Sequence, residues 1–300
     1  MDPRRRALLA VLAAGALGTE LRPALAQAPL SRNIPSTGEV LPLIGVGTWQ
    51  TFDVGTDSKA RAPLREVLKL LNGNLIDSSP MYGSSETVAG DLIAELGLHK
   101  KLFIATKIWT RGRDAGIQQM ETSFKRLRLK RMDLMQVHNL GDVETHTKTL
   151  LEWKEKKRVR YIGITHYTSS AYAEVERLLK TKQYDFLQIN YSLGERESQQ
   201  RLLPLAQERK IAVIANRPFV EGALFRQVKG KPLPPWAAEL GIASWAQYFL
   251  KWIVSHPAVT CAIPGTARPE HMKDNLGAGQ GPLPDDKARK RMAAYFDALG

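Results

Sequence analysis

A single cysteine, Cys261, stands in 300 residues, so no intramolecular disulfide can form and no zinc site built on several thiolates is available. The chain also lacks any run of about 18 consecutive apolar residues, which leaves no candidate for a membrane-spanning helix and excludes stable membrane insertion. Negative charge is in short supply: 30 Asp plus Glu against 43 Lys plus Arg give a formal net charge of +13. Aromatics are not interleaved with the basic runs 125–131 and 154–160, and no recognition motif accompanies them, so nucleic acid is not an expected partner. Those runs close apparent helices, where cations complement the helix dipole, and a solvated face is their default reading. With 23 Gly, 17 Pro and 43% hydrophobic residues, the composition is that of an ordinary globular chain.

One segment stands apart. Arg4, Arg5 and Arg6 precede the apolar run 7–17, and Ala24-Leu25-Ala26 supplies small residues at a cleavage spacing. Residues 1–28 therefore read as an export signal, and the paired arginines resemble the twin-arginine type. The alternatives are a plain secretory signal or a basic N-terminus kept on a cytoplasmic protein. Export through the twin-arginine machinery would place the protein in the periplasm. Loss of residues 1–26 removes four cations and two anions, leaving the net charge at +11.

The remainder, 29–300, reads as one domain in which β-rich runs alternate with amphipathic stretches. Eight strands are expected at 43–49, 74–77, 102–108, 133–138, 161–167, 186–191, 212–218 and 260–264. Helices are expected after each, at 60–71, 85–96, 117–128, 146–158, 171–180, 198–209, 244–256 and 269–276. Eight units of roughly 28 residues suit a closed (β/α)₈ barrel, an α/β TIM-barrel fold. A hairpin within 30–42 and an extra helix at 285–299 are accessory to it. The rival architecture, a doubly wound open sheet, normally carries a glycine-rich turn after its first strand, and Gly45-Val46-Gly47-Thr48-Trp49 lacks the third glycine.

In such a barrel, chemistry belongs at the C-terminal ends of the strands. Asp77 ends the second strand, Tyr82 follows in the loop, Lys107 lies near the end of the third and His138 closes the fourth. Singly, each has another reading: Asp77 as a turn cap, Lys107 as a salt-bridge partner, His138 as a core histidine. Jointly they suit proton donation to a carbonyl. The Lys107 ammonium would stabilise a tyrosinate and lower the Tyr82 pKa, Asp77 would hold the lysine, and His138 would position the carbonyl oxygen.

These residues carry a resemblance. The segment 73–86, with Asp77 and Tyr82, is similar to the first signature of the aldo-keto reductase family. Residues 103–107 resemble its lysine strand, and 132–138 its histidine strand. The resemblance spans about 45–275. It implies a (β/α)₈ barrel that transfers hydride from NADPH, with NADH as the alternative, to an aldehyde or ketone, with Tyr82 as proton donor. It further implies cofactor contacts from Thr165 and His166, where the family usually has Ser-Asn, and from Gln188. Asn216 stands where a stacking aromatic is usual, and Arg217 could reach the pyrophosphate or form a salt bridge. Gly265, Thr266, Arg268 and Asn275 fall in the family's adenosine-phosphate segment, with a helix C-cap as the other reading of Asn275. Trp49, Trp109 and Tyr82 would line an apolar mouth for a small-molecule carbonyl, Trp109 being equally readable as barrel packing. No metal is implied, and a monomer is expected. A nucleotide-binding barrel acting as a sensor without turnover is the rival function. A lyase or isomerase on the same barrel would want a metal cluster or a differently placed phosphate site.

Overall fold

Parallel strands covered on both faces must be apolar almost throughout, and the runs above meet that demand. The computed structural model describes residues 28–181 and 183–300. Its barrel strands are β3 (Val46–Gly47), β4 (Leu75–Asp77), β5 (Phe103–Ile108), β6 (Met132–His138), β7 (Val159–Thr165), β8 (Phe186–Asn190), β9 (Ala212–Asn216) and β10 (Val259–Ala262). They form a single parallel sheet in sequence order. The sheet closes between its first and last strands. Gly45 N–H donates to Ala262 O (2.8 Å), Ala262 N–H to Leu43 O (2.9 Å) and Gly47 N–H to Pro264 O (3.2 Å). Gly45 lets the first strand lie close against β4, because a Cβ there would lie 2.5 Å from Leu75 O.

The outer ring comprises α1 (Ser58–Lys69), α2 (Ser85–Glu95), α3 (Arg113–Arg126), α4 (Val143–Glu155), α5 (Tyr172–Leu179), α6 (Leu202–Glu208), α7 (Ala223–Gln227), α8 (Trp245–Val254) and α9 (Pro269–Gly277). The (β/α)₈ barrel expected from the alternation is the observed fold. Strand β3 is shorter than the expected 43–49. After Gly47 the chain turns back on itself, with Thr51 and Phe52 N–H donating to Thr48 O and Gln50 in the left-handed region. The five-residue α7 and a 3₁₀ turn at Pro235–Leu240 have no counterpart in the expected elements. No helical period announces either; α7 is held by packing of Phe225 on Phe219 (4.8 Å) and Phe249 (5.5 Å).

The accessory pieces sit at defined places. Strands β1 (Ser31–Asn33) and β2 (Val40–Pro42) form the N-terminal hairpin. Its Ile34 and Leu41 join the barrel's interior cluster with Leu75, Phe103, Tyr161 and Phe186, and Tyr161 Oη donates to Glu39 Oε2 (2.6 Å). Helix α10 (Asp286–Asp297) is capped by Asp285, whose Oδ1 accepts from Ala288 N–H (2.7 Å). It is clamped by Arg289, which donates to Tyr191 Oη (2.7 Å). Cys261 is sealed in the barrel interior, where burial pushes its thiol pKa up. Among the described residues no helix is long and apolar enough to cross a membrane. The expected export signal lies, but for its last residue, outside the described residues.

Candidate active site

Strand ends deliver the polar residues to one mouth. Asp77 is the last residue of β4, Lys107 the penultimate residue of β5 and His138 the last of β6. Lys107, only 1% exposed, donates to Asp77 Oδ2 (2.6 Å) and to Ser78 O (2.7 Å). The carboxylate accepts two further bonds, from Gln188 Nε2 (3.1 Å) and Gln136 Nε2 (3.3 Å). A buried charge pair persists only when its remaining lone pairs are so satisfied. Burial works against the Lys107 ammonium, but Asp77 and Tyr82 outweigh it and hold its pKa above the usual lysine value.

Tyr82 sits with its ring centroid 4.9 Å from Lys107 Nζ and 5.7 Å from the His138 ring, which it meets edge-on. Its loop is pinned from below: Asp53 Oδ1 accepts from Ser84 N–H (2.8 Å) and Oγ–H (2.7 Å). Gly83 has φ +57°, and a Cβ there would strike the Asp53 carboxylate at 2.2 Å. The expectation that Lys107 leaves the Tyr82 pKa below normal is corrected. Burial and the Asp77 charge outweigh the lysine, and the phenol is held above its usual value. Lys107 limits the rise rather than reversing it.

His138 is buried, and burial followed by the Lys107 charge pushes its pKa down to about 2. The ring is therefore neutral at ordinary pH. Stability carries the sign of this shift. Below about pH 6.5 the unfolded chain binds a proton that the folded chain refuses, so stability falls with falling pH by about 1.4 kcal/mol per unit from this group. Urea unfolding from neutral to mildly acid pH should show that extra slope in wild type relative to His138→Gln; equal slopes would contradict it.

The mouth opens on a cavity of about 600 Å³ whose wall includes Asp77, Tyr82, His138, Thr165, Gln188 and Asn216. Trp49 and Gly265 line it as expected. The structure departs from expectation at several positions. His166 is not in the wall: its Nδ1 accepts from Thr168 N–H (3.2 Å) and its ring stacks on Tyr167. Its carbonyl accepts from Asn216 Nδ2 (3.0 Å), which leaves the buried Asn216 Oδ1 without a partner. Arg217 does line the cavity, and its guanidinium pairs with Glu221 (2.5 Å) and Glu195 (3.5 Å). Trp109, Thr266, Arg268 and Asn275 all lie off the wall. Trp109 is 48% exposed, its backbone N–H donating to Gln119 Oε1 (2.6 Å). Thr266 Oγ1 accepts from Arg268 N–H (3.1 Å), Arg268 pairs with Glu270 (2.6 Å), and Asn275 is buried on α9.

Three further aromatics of the wall have no counterpart in the sequence reading. Tyr167, just after β7, joins Trp49 and Met81 around the opening, as do Phe219 and Phe225, brought there by the β9–α7 turn, where Arg217, Val220, Glu221 and Gly222 all have positive φ. Gln136 is a further residue that the sequence reading misses. It is the polar residue of an otherwise apolar stretch of β6, two positions before His138, so the period-two rule places both on the same face of the strand. Gly163 on the neighbouring strand leaves room for it, since a Cβ there would lie 3.3 Å from Gln136 Cγ.

The chain as a whole is similar to known proteins. The chain is 29% identical over 252 residues to methylglyoxal reductase YeaE of Escherichia coli (strain K12), covering 81% of this chain and 87% of that protein. It is 26% identical over 268 residues to methylglyoxal reductase DkgB of Escherichia coli O157:H7, covering 85% and 92%. Among solved structures, an aldo/keto reductase from Klebsiella pneumoniae in complex with NADP and acetate superposes with a TM-score of 0.73 at 24% identity, over 86% of this chain and 93% of that one. The model of the Aldo/keto reductase family matches residues 43–294. With nearly the whole barrel inside that match, the chain belongs to the aldo/keto reductase family of oxidoreductases.

Proposed function

We propose that the protein reduces the carbonyl group of a small aldehyde or ketone with hydride from a nicotinamide dinucleotide, and that Tyr82 supplies the proton. The observation that carries this reading is the convergence of Tyr82, the Asp77–Lys107 pair and neutral His138 on one cavity at the strand ends. A reduced nicotinamide supplies hydride to the carbonyl carbon when bound. The cavity fits that group at its polar wall. Asn216 Oδ1 is a buried acceptor with no protein partner, Thr165 brings a hydroxyl, and Gln188 Nε2 keeps one N–H beyond its bond to Asp77. Thr266 and Arg268 would serve the 2′-phosphate, with Gly265 in the same segment and Asn275 on the adenine side; Arg268 is exposed there and surrenders only a surface ion pair. NADPH is the expected form, since NADP or NADPH accompanies the Klebsiella pneumoniae relatives.

Proton delivery follows from the charges. As the carbonyl oxygen gains negative charge, His138 holds it by a hydrogen bond and the phenol of Tyr82 gives up its proton to it. The tyrosinate left behind lies beside the Lys107 ammonium, which Asp77 keeps charged. Trp49, Met81, Phe219 and Phe225 offer apolar surface to the rest of the substrate. Fluorescence titration with NADPH and NADH, followed by oxidation of the bound nucleotide with a panel of aldehydes and ketones, tests the reading. Saturable binding with turnover supports it. Tight binding without turnover on any carbonyl would favour the sensor alternative.

We also propose that residues 1–28 direct export to the periplasm by the twin-arginine route. The support is Arg4-Arg5-Arg6 before the apolar run 7–17. That route carries folded proteins, so the nucleotide would travel already bound. Arg4→Lys/Arg5→Lys/Arg6→Lys in the full chain should leave the protein in the cytoplasm on cell fractionation; unchanged periplasmic yield would sink the idea.

A further inference from the structure

A neutral histidine can present either a donor or an acceptor to a ligand, and which one depends on the hydrogen bond made by its other nitrogen. His138 needs Nε2–H if it is to hold a carbonyl oxygen. Its Nδ1 lies 2.9 Å from the hydroxyl of Ser79, a residue with no exposed surface. Ser79 Oγ also accepts from Met81 N–H (3.4 Å). His138 Nδ1 and the Met81 amide are thus the hydroxyl's partners, and only Nδ1 can accept.

Two arrangements are conceivable. If Nδ1 carried the proton, it would donate to Ser79 Oγ. The serine hydrogen would then be buried with no acceptor, and Nε2 would face the cavity as a bare lone pair. If Ser79 instead donates to bare Nδ1, the hydroxyl is satisfied on both sides and Nε2 carries its hydrogen. Leaving a buried donor unmatched costs more than an ordinary hydrogen bond gains, so the second arrangement prevails.

We infer that Ser79 is a positioning residue that sets the tautomer of His138, holding Nε2–H for the substrate oxygen. Only its kinetic consequence rests on the reductase reading; the tautomer itself does not. The same dipeptide region does double duty, since Ser78 O anchors Lys107 (2.7 Å) while Ser79 orients His138. The Asp77-Ser78-Ser79 segment thereby reaches both partners of Tyr82.

The test is a long-range ¹H–¹⁵N spectrum of the full chain labelled at its six histidines, with His138→Gln used to assign the resonance. Wild type should show protonated Nε2 and bare Nδ1 at His138. In Ser79→Ala the second tautomer should appear, and kcat should fall in proportion to the lost share of Nε2–H, about 2-fold when loss of one ordinary hydrogen bond leaves the two tautomers comparable, with the Kd for NADPH unchanged. Ser79→Thr, which keeps the hydroxyl, should restore both readouts. Wild type with protonated Nδ1 would overturn the inference whether or not any variant folds, as would Ser79→Ala with an unaltered tautomer. Protonated Nε2 in a wild type that reduces no carbonyl would support the tautomer assignment while defeating the reductase reading.

Discussion

Tyr82→Phe should lower kcat/KM by about 10³-fold, about 4 kcal/mol in transition-state stabilisation, while leaving the affinity for NADPH within about 2-fold of wild type. The substitution removes one oxygen from a half-buried ring and keeps the edge-on contact with His138. Nothing else at the mouth can take over. Lys107 is held as an ammonium by Asp77, and His138 stays uncharged, so each gives up a proton far less readily than an acid matched to the step. The elevated phenol pKa gives the pH dependence its sign. Reduction needs the protonated form, so wild-type activity should hold across neutral pH and decline only when pH rises past the ordinary phenol value of 10.0. His138 should add no inflection near 6.5, its midpoint having moved to about 2. Steady-state kinetics across that range, with nucleotide binding measured separately, checks both points. Tyr82→Phe with wild-type turnover would mean that the proton comes from elsewhere, and loss of NADPH affinity would make the residue part of the binding wall instead.

Much of this site is legible before any coordinates are seen, and the reason is local. Asp77, Lys107 and His138 end strands whose apolar patterning is unmistakable, and a closed barrel carries all parallel strand ends to one face. Tyr82 comes with them because only four residues separate it from Asp77 and Gly83 turns the chain behind it. What a strand pattern cannot convey is which way a loop side chain turns. Whether Arg217 meets an anion or a carboxylate depends on Glu195 and Glu221, the first of them 22 positions away in sequence. His166 illustrates the same limit, since its ring is captured by Thr168 and Tyr167 within its own turn. Phe219 and Phe225 escape a sequence reading because a five-residue helix has no readable period; the packing of Phe225 on Phe249 creates it. The direction of the Tyr82 shift is hidden for another reason. Sequence reveals the neighbouring charge, whereas desolvation, the larger contribution, exists only once the barrel has closed over the ring.

The Asp77–Lys107 pair offers a separate test, because stability and chemistry should part company there. Lys107→Met strands the Asp77 carboxylate at 2% exposure with only two side-chain amides to support it, and the expected loss is about 3–5 kcal/mol of folding stability. Asp77→Asn strands the ammonium on a single carbonyl, Ser78 O, beside a neutral amide, and should cost a similar amount. In the double variant Asp77→Asn/Lys107→Met neither charge is left unpaired, and the new amide oxygen can still accept from one of the two glutamines. Its loss should fall short of the sum of the single losses by about 1–3 kcal/mol in denaturant unfolding. Activity should show no such recovery. Without the ammonium, nothing offsets the cost of forming a tyrosinate at Tyr82, so the double variant should remain as impaired as Lys107→Met. Additive losses of stability would show that the two residues are held independently of each other. A double variant that regains turnover would show that the ammonium acts only by satisfying the carboxylate, and that Tyr82 delivers its proton without it.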